Sequence, residues 1–447
     1  MKLRIIIVLM LLLTLLSAKD QVTIYNENFS LVRSSIELTL TKGIQNYFLD
    51  DIPSTIEANS VIINPLKSKI EIFSQNYEYD LANTSKILNK YIGKDLEIIA
   101  EEDVKFIGKL QFNDSSTIGI IENNTDKLIL IQRDEITNIS LAELPENFFL
   151  KPTLNWRLNA PKAGKFPIDF SYICTGMKWD VTYNSVWNEA LGKLEINSWV
   201  TIVNKTGKAF KDTKLKLIAG EVAKIQMHVR GGRSNEVMYS VDGMSAKSPE
   251  FVEKAFHDFH MYTLSENVNI NNNQTKQLRL FPTKTVNAES RYEYNTGSTD
   301  VQSKIKFINS KKEGLGIPLP KGVVKIYKKD TNDNELEFIG EDGLDHTAKD
   351  EEVFISTGNA FDLVGETITV DRLKISKKIT ERNMKVILKN RSDKAKTVTV
   401  IHGLYGNWSI MKNSLPFIKK NASNIEFEKK VKPNEVFELT WTERIES

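Results

Sequence analysis

The densest acidic stretch is Glu341-Asp342-Gly343-Leu344-Asp345-His346, with Asp350-Glu351-Glu352 just beyond it. Carboxylates gathered in a loop can bind a hard cation such as calcium, and acids beside an imidazole can serve a hydrolase. Glu341, Asp342, Asp345 and His346 are therefore the candidate polar site. The spacing does not match an EF-hand, however. Asp345 can equally accept hydrogen bonds from turn amides, with His346 orienting the same turn, and that structural reading is preferred.

The remaining chemistry is sparser. His257-Asp258-Phe259-His260 would present two imidazoles to one metal on a helix, but Phe259 to Leu264 reads as a strand. On a strand the two rings face opposite ways. Cys174 is the one cysteine, in the apolar context Tyr172-Ile173-Cys174, and reads as a buried strand thiol rather than a nucleophile. Gly314 to Gly322 is rich in glycine, but Pro318 and Pro320 remove backbone donors, so it cannot be a phosphate loop. Six tryptophans are present: Trp156, Trp179, Trp187, Trp199, Trp408 and Trp441. Aromatic faces can stack on sugars, and Trp179, Trp187 and Trp408 are the candidate binding aromatics. Trp441 alternates with Leu439 and Phe437 and belongs to a core. No zincin histidine pair, serine elbow or dinucleotide fingerprint is present. No metal or cofactor is expected, although a site assembled from distant strands would leave no local signature.

Period-two patterning dominates the elements that would position these residues. Leu194, Ile196, Ser198, Val200 and Ile202 alternate with polar neighbours before Asn204-Lys205-Thr206-Gly207-Lys208 turns the chain. Met384, Val386 and Leu388 do the same before Asn390-Arg391-Ser392-Asp393-Lys394, and Val398 and Val400 follow. This echo predicts two similar sandwich units. Helix is scarce: Asp80 to Ile92 is the best candidate, with Thr84 or Ser85 as cap, and Pro249 to Phe256 is a second. Five short strands between Leu96 and Leu141 predict a small closed barrel of SH3-like outline.

The expected fold is all-β and multidomain, with Ig-like sandwich units, a small SH3-like barrel and little helix. A signal peptide occupies 1–18: Lys2 and Arg4 precede an apolar run from Ile5 to Leu16, and Ser17-Ala18 supplies the cleavage site. The alternative is an uncleaved anchor. A strand-rich unit follows at 19–79, a helix plus barrel at 80–145, a central sandwich at 146–300 with a mobile loop at 230–248, and a C-terminal sandwich at 301–447. No later segment is long and apolar enough for a membrane helix. With 60 basic and 58 acidic residues, the chain offers no electrostatic reason to bind nucleic acid.

Several strings match one bacterial family in order. They include Lys151-Pro152-Thr153-Leu154-Asn155-Trp156, Thr175-Gly176-Met177-Lys178-Trp179-Asp180, Leu217-Ile218-Ala219-Gly220-Glu221-Val222 and Gly316-Ile317-Pro318-Leu319-Pro320-Lys321-Gly322. Phe338-Ile339-Gly340-Glu341-Asp342 and Gly358-Asn359-Ala360-Phe361-Asp362-Leu363 complete the series. The chain thereby resembles proteins carrying the domain of unknown function 4139. That resemblance implies an exported, β-rich bacterial protein and supplies no catalytic residues to carry over. The expected function is a non-enzymatic protein of the cell envelope, in the periplasm or at the cell surface, that binds another protein or a surface polymer. The alternatives are an envelope hydrolase using carboxylates or a metal near Asp345 and His346, and a carbohydrate-binding module.

Overall fold

The computed structural model describes residues 20–66, 69–78, 84–142, 149, 151–220, 222, 250–330 and 333–446. The expected signal segment and the loop 230–248 lie outside them. The architecture is all-β, and the described residues form four hydrogen-bonded sheets of 8, 5, 3 and 14 strands. Among the described residues there is one α-helix, Thr84–Tyr91, which buries Leu88 and Tyr91 on one face.

Alternation translates directly into burial. In the strand Lys193–Asn204, Leu194, Ile196, Ser198, Val200, Ile202 and Asn204 are buried and their neighbours are not. The strand is antiparallel to Gln274–Arg279, with Asn204 opposite Gln274. The next strand, Phe210–Ala219, pairs with Val268–Ile270 and runs parallel to the distant Asp20–Tyr25. The later part of the chain repeats this plan. Ile379–Asn390 pairs with Val436–Glu446, while Lys396–Gly403 pairs with Asn424–Val431 and runs parallel to the end of Lys284–Asn295. Among the described residues, two sandwich-like parts thus share this local pairing pattern.

The echoed turns are the same structure twice. Asn204 Nδ2 donates to the carbonyls of Lys208 (2.9 Å) and Asn271 (3.0 Å), and its Oδ1 accepts from the Thr206 amide and hydroxyl. Asn390 Nδ2 donates to the carbonyls of Lys394 (2.7 Å) and Lys432 (2.9 Å), and its Oδ1 accepts from the Ser392 amide and hydroxyl. Both asparagines are fully buried. The asparagine amide carries two donor hydrogens on one atom and an acceptor on another, so one side chain satisfies the turn and the neighbouring strand end at once. The facing turns match as well: Gln274 accepts from the Asn271 amide, and Glu435 from the Lys432 amide. Asn273 and Asn434 sit there at positive φ, 54° and 57°, where asparagine is tolerated better than most residues.

The strands before residue 79 share sheets and core with those after 151. Phe29–Leu40 pairs along its length with Gly164–Thr175, and Thr153–Ala160 lies between Gly43–Leu49 and Glu71–Glu78. Their core includes Trp156, Phe170, Tyr172, Cys174, Trp179 and Tyr183. The second sandwich has its own core around Val386, Leu388, Val400, Phe427 and Trp441.

Two expectations are corrected. The unit between residues 84 and 142 does form five strands, but they do not close into a barrel. Ile136–Leu141 pairs with Asp95–Ala100, and Leu128–Gln132 with Thr117–Glu122. The two outer strands are joined by the single turn Arg133–Glu135 and do not pair with each other. The helix covers the inner face instead, with Leu88 and Tyr91 packed among Leu110, Ile118 and Ile120. The predicted helix ending at Phe256 is also a strand, Phe251–Phe256, hydrogen-bonded to Phe259–Leu264 across a turn at His257. An eight-residue helix is marginal in water, and a hairpin docked on a sheet edge outcompetes it.

Candidate functional site

The acidic run is divided between a strand and the segment that leaves it. Glu341 and Asp342 lie on the strand Leu336–Leu344, and Asp345-His346 follow its end. Asp342 Oδ2 accepts from the Ser356 amide at 2.7 Å, which ties this strand to its neighbour. His346 Nδ1 accepts from the Lys321 amide at 3.1 Å, and Thr347 exchanges amide–carbonyl bonds with Leu319. Glu341 faces Lys325 at 3.9 Å. The Asp345 side chain is 94 % exposed, 3.9 Å from Lys321. These four residues are therefore strung along one edge, not gathered around a point. The bonds of His346 and Thr347 anchor the proline loop, whose carbonyls at Pro318 and Pro320 also accept from the hydroxyls of Tyr262 and Tyr183. Burial pushes both tyrosines above their usual range.

The other nominated residues are placed as follows. Trp179 and Trp187 are buried at 0 % and 5 % exposure, so neither offers a face on which a sugar could stack. Trp408 is half-buried. Its indole N–H donates to the Ala422 carbonyl at 2.7 Å, and the Lys419 ammonium lies 4.5 Å from its ring centre. Cys174 is wholly buried in Gly164–Thr175, as a strand thiol should be. His257 sits exposed at a turn with φ 56°, while His260 Nδ1 lies 2.8 Å from Glu253 across the hairpin. Among the described residues, no group of three or more His, Cys, Asp or Glu is arranged to hold a metal ion.

Two polar constellations were missed from sequence. The first is in the second sandwich. Glu443, at 0 % exposure, places Oε2 2.7 Å from His402 Nε2 and accepts the Trp441 indole N–H at 3.0 Å. Arg382 forms an ion pair with its other oxygen. Burial alone would raise the carboxyl pKa, but hydrogen bonds from His402 and Trp441, with the charge of Arg382, hold it below the usual range. His402 Nδ1 lies 2.7 Å from Thr296 Oγ1. Since an ionised Glu443 can only accept, His402 Nε2 is the donor toward it, and Nδ1 is the ring atom beside the Thr296 hydroxyl. The signal was available: stepping by two from Val398 and Val400 reaches His402, and from Leu439 and Trp441 reaches Glu443. A histidine and a glutamate on two apolar faces imply a buried pair.

The second constellation is in the first sandwich. Lys208 Nζ is buried between Asp20 (3.6 Å) and Asp51 (3.1 Å), donates to the Asp51 carbonyl, and lies 5.5 Å from the Phe210 ring centre. Asp20 also accepts from Ser34 at 2.5 Å. A cavity of about 580 Å³ adjoins it, lined by Asp50, Lys151 and Lys211 among others.

The small open sheet contributes a surface of a different kind. Leu128 and Leu130, on the outer strand Leu128–Gln132, are 56 % and 58 % exposed. Leu130 stands opposite Gly119, and a side chain at Gly119 would collide with the Phe112 ring, which covers it. Ile107 and Phe112 extend the exposed apolar surface on the next strand but one. Among the described residues, the far edge of Leu128–Gln132 pairs with nothing.

No family model and no curated protein matches the chain.

Proposed function

We propose that the protein is an exported, non-enzymatic component of the bacterial envelope that binds another protein by strand addition. The observation that carries this reading is the edge strand Leu128–Gln132. It has no charge and no proline, exposes two leucines, and leaves one row of backbone donors and acceptors unpaired among the described residues. Uncovered edges of this composition associate with other chains, and most folds block them with lysine, proline or a covering loop. The readings that support an envelope location are the leader-like residues 1–18 and the strings that resemble the domain of unknown function 4139. Leu128→Lys with Leu130→Lys should abolish a crosslinked partner that wild type retains, with no loss of folding. A partner retained by the double variant overturns strand addition at this edge. Fractionation with N-terminal sequencing tests export, which predicts a mature chain beginning at Lys19.

A second reading, an envelope hydrolase, is favoured by one observation: the hydroxyl–imidazole–carboxylate line of Thr296, His402 and Glu443. A histidine that accepts from a hydroxyl and donates to a carboxylate is the arrangement of nucleophilic hydrolases. Against it, Arg382 already neutralises Glu443, which weakens the support available to a transient imidazolium, and the Thr296 amide is bonded to the Ile401 carbonyl. Turnover of an activated ester that disappears in Thr296→Val and His402→Ala would establish the hydrolase. Equal turnover in wild type and both variants eliminates it.

A further inference from the structure

We infer that the tip of the long hairpin in the second sandwich docks on an anionic lipid surface. This rests on surface chemistry separate from the edge strand of the small sheet. The hairpin is built from Glu352–Lys374, which has 23 residues, and Ile379–Asn390. At its end the sequence runs Arg372-Leu373-Lys374-Ile375-Ser376-Lys377-Lys378-Ile379, with four cations and no acid. Leu373 and Ile375 are 54 % and 49 % exposed, and Val370, at a bulge just below, is 58 % exposed. Arg372, Lys374, Lys377 and Lys378 are all exposed beside them. Apolar side chains interleaved with lysines, whose stems lie along hydrocarbon while their ammonium groups reach headgroups, fit the boundary of a bilayer.

The tip's backbone also suits that boundary. An ordinary loop carries unsatisfied amides that resist entry into a medium without water. Here the Ile375 and Ser376 amides donate to the Ile379 carbonyl, and the Ser376 hydroxyl accepts from the amides of Lys378 and Ile379. Four donors are thus satisfied inside the turn. The nearby acids set how deep the cationic zone extends. Asp371 lies below the tip and bonds the Arg372 amide, Glu381 is held by Arg444 at 2.6 and 2.9 Å, and Glu446 stands opposite Ile379. Positive charge is therefore confined to the tip, which favours anionic headgroups and sets a shallow insertion.

The test is co-sedimentation of the chain from Lys19 onward, which contains every described element, with phosphatidylglycerol-containing or pure phosphatidylcholine vesicles. Omitting residues 1–18 keeps their apolar run from carrying the protein to the vesicles. Partition should favour anionic vesicles and fall with salt. Lys374→Glu with Lys377→Glu should lower it at least tenfold, given about fivefold per cation near an anionic surface. Leu373→Asp with Ile375→Asp should lower it comparably, and Ile375→Trp should show a blue shift in emission on anionic vesicles alone. These positions are exposed, and unchanged circular dichroism will confirm folding. No partition, equal partition into both vesicle types, or partition that both double variants leave intact would overturn the proposal.

Discussion

The two sandwiches share the hydrogen bonds of one turn asparagine, yet the lysine that closes the turn meets opposite fates. In the first, Lys208 is buried against Asp20 and Asp51; in the second, Lys394 lies on the surface, 3.7 Å from Glu189. Conversely, the second sandwich buries Glu443 with His402 and Arg382, whereas the first holds apolar side chains such as Leu217, Ile270 and Leu280 in its core. Repeated architecture is carried by the element that must satisfy buried backbone, Asn204 and Asn390. Buried charge is free to differ, because each ionic cluster needs only its own local partners.

The largest test of that contrast is Glu443→Gln. Removing one member of a buried ionic cluster leaves Arg382 uncompensated and should destabilise the second sandwich by about 3–5 kcal/mol in urea unfolding. The first sandwich should be unaffected. The same variant changes the pH profile. Glu443 has a folded pKa below its unfolded value, so its contribution is complete above the unfolded value and is lost as pH falls through the folded one. That acid-side loss should be shallower in Glu443→Gln.

The shared element should respond alike in both places. Asn204→Ala and Asn390→Ala each strip hydrogen bonds from buried carbonyls, and each should cost about 1–3 kcal/mol. Clearly unequal values would mean that the two turns are not energetically equivalent. Lys208→Met should cost about 1–2 kcal/mol, since water in the adjoining cavity can solvate Asp20 in its place. Lys394→Met should stay within about 0.5 kcal/mol, as an exposed lysine does. The smallest effect belongs to Asp345→Asn, within about 0.5 kcal/mol, because its carboxylate meets only solvent and a distant lysine.

The sandwiches were legible because a buried face leaves a period of two, seen at Leu194 to Ile202 and at Met384 to Leu388. The turn echo was legible because asparagine supplies that pattern of donors and acceptor on a short side chain. Closure of the small sheet was not legible, since five short strands look alike whether their ends meet or a helix covers their inner face. Phe251–Phe256 reads as a strand only once its partner Phe259–Leu264 is in place. The polar cluster left only the alternation that carries His402 and Glu443: Arg382, His402 and Glu443 come from separate strands and Thr296 from a turn, and no local window contains two of them. The acidic run drew attention by its density, yet density along a chain does not gather side chains around a point.

The parallel pairing of Asp20–Tyr25 has a consequence in time. Gln21 finds its register partner only at Lys214, and at about 5–20 residues per second that partner is made roughly 10–40 s later. Its antiparallel neighbour Phe29–Leu40 is available almost at once, so the first hairpin is complete long before its sandwich is. During that interval one edge of the opening strand waits for a segment not yet synthesised. Such non-local closure slows folding, and residues near Lys214 are where a truncated or stalled chain would become prone to aggregation.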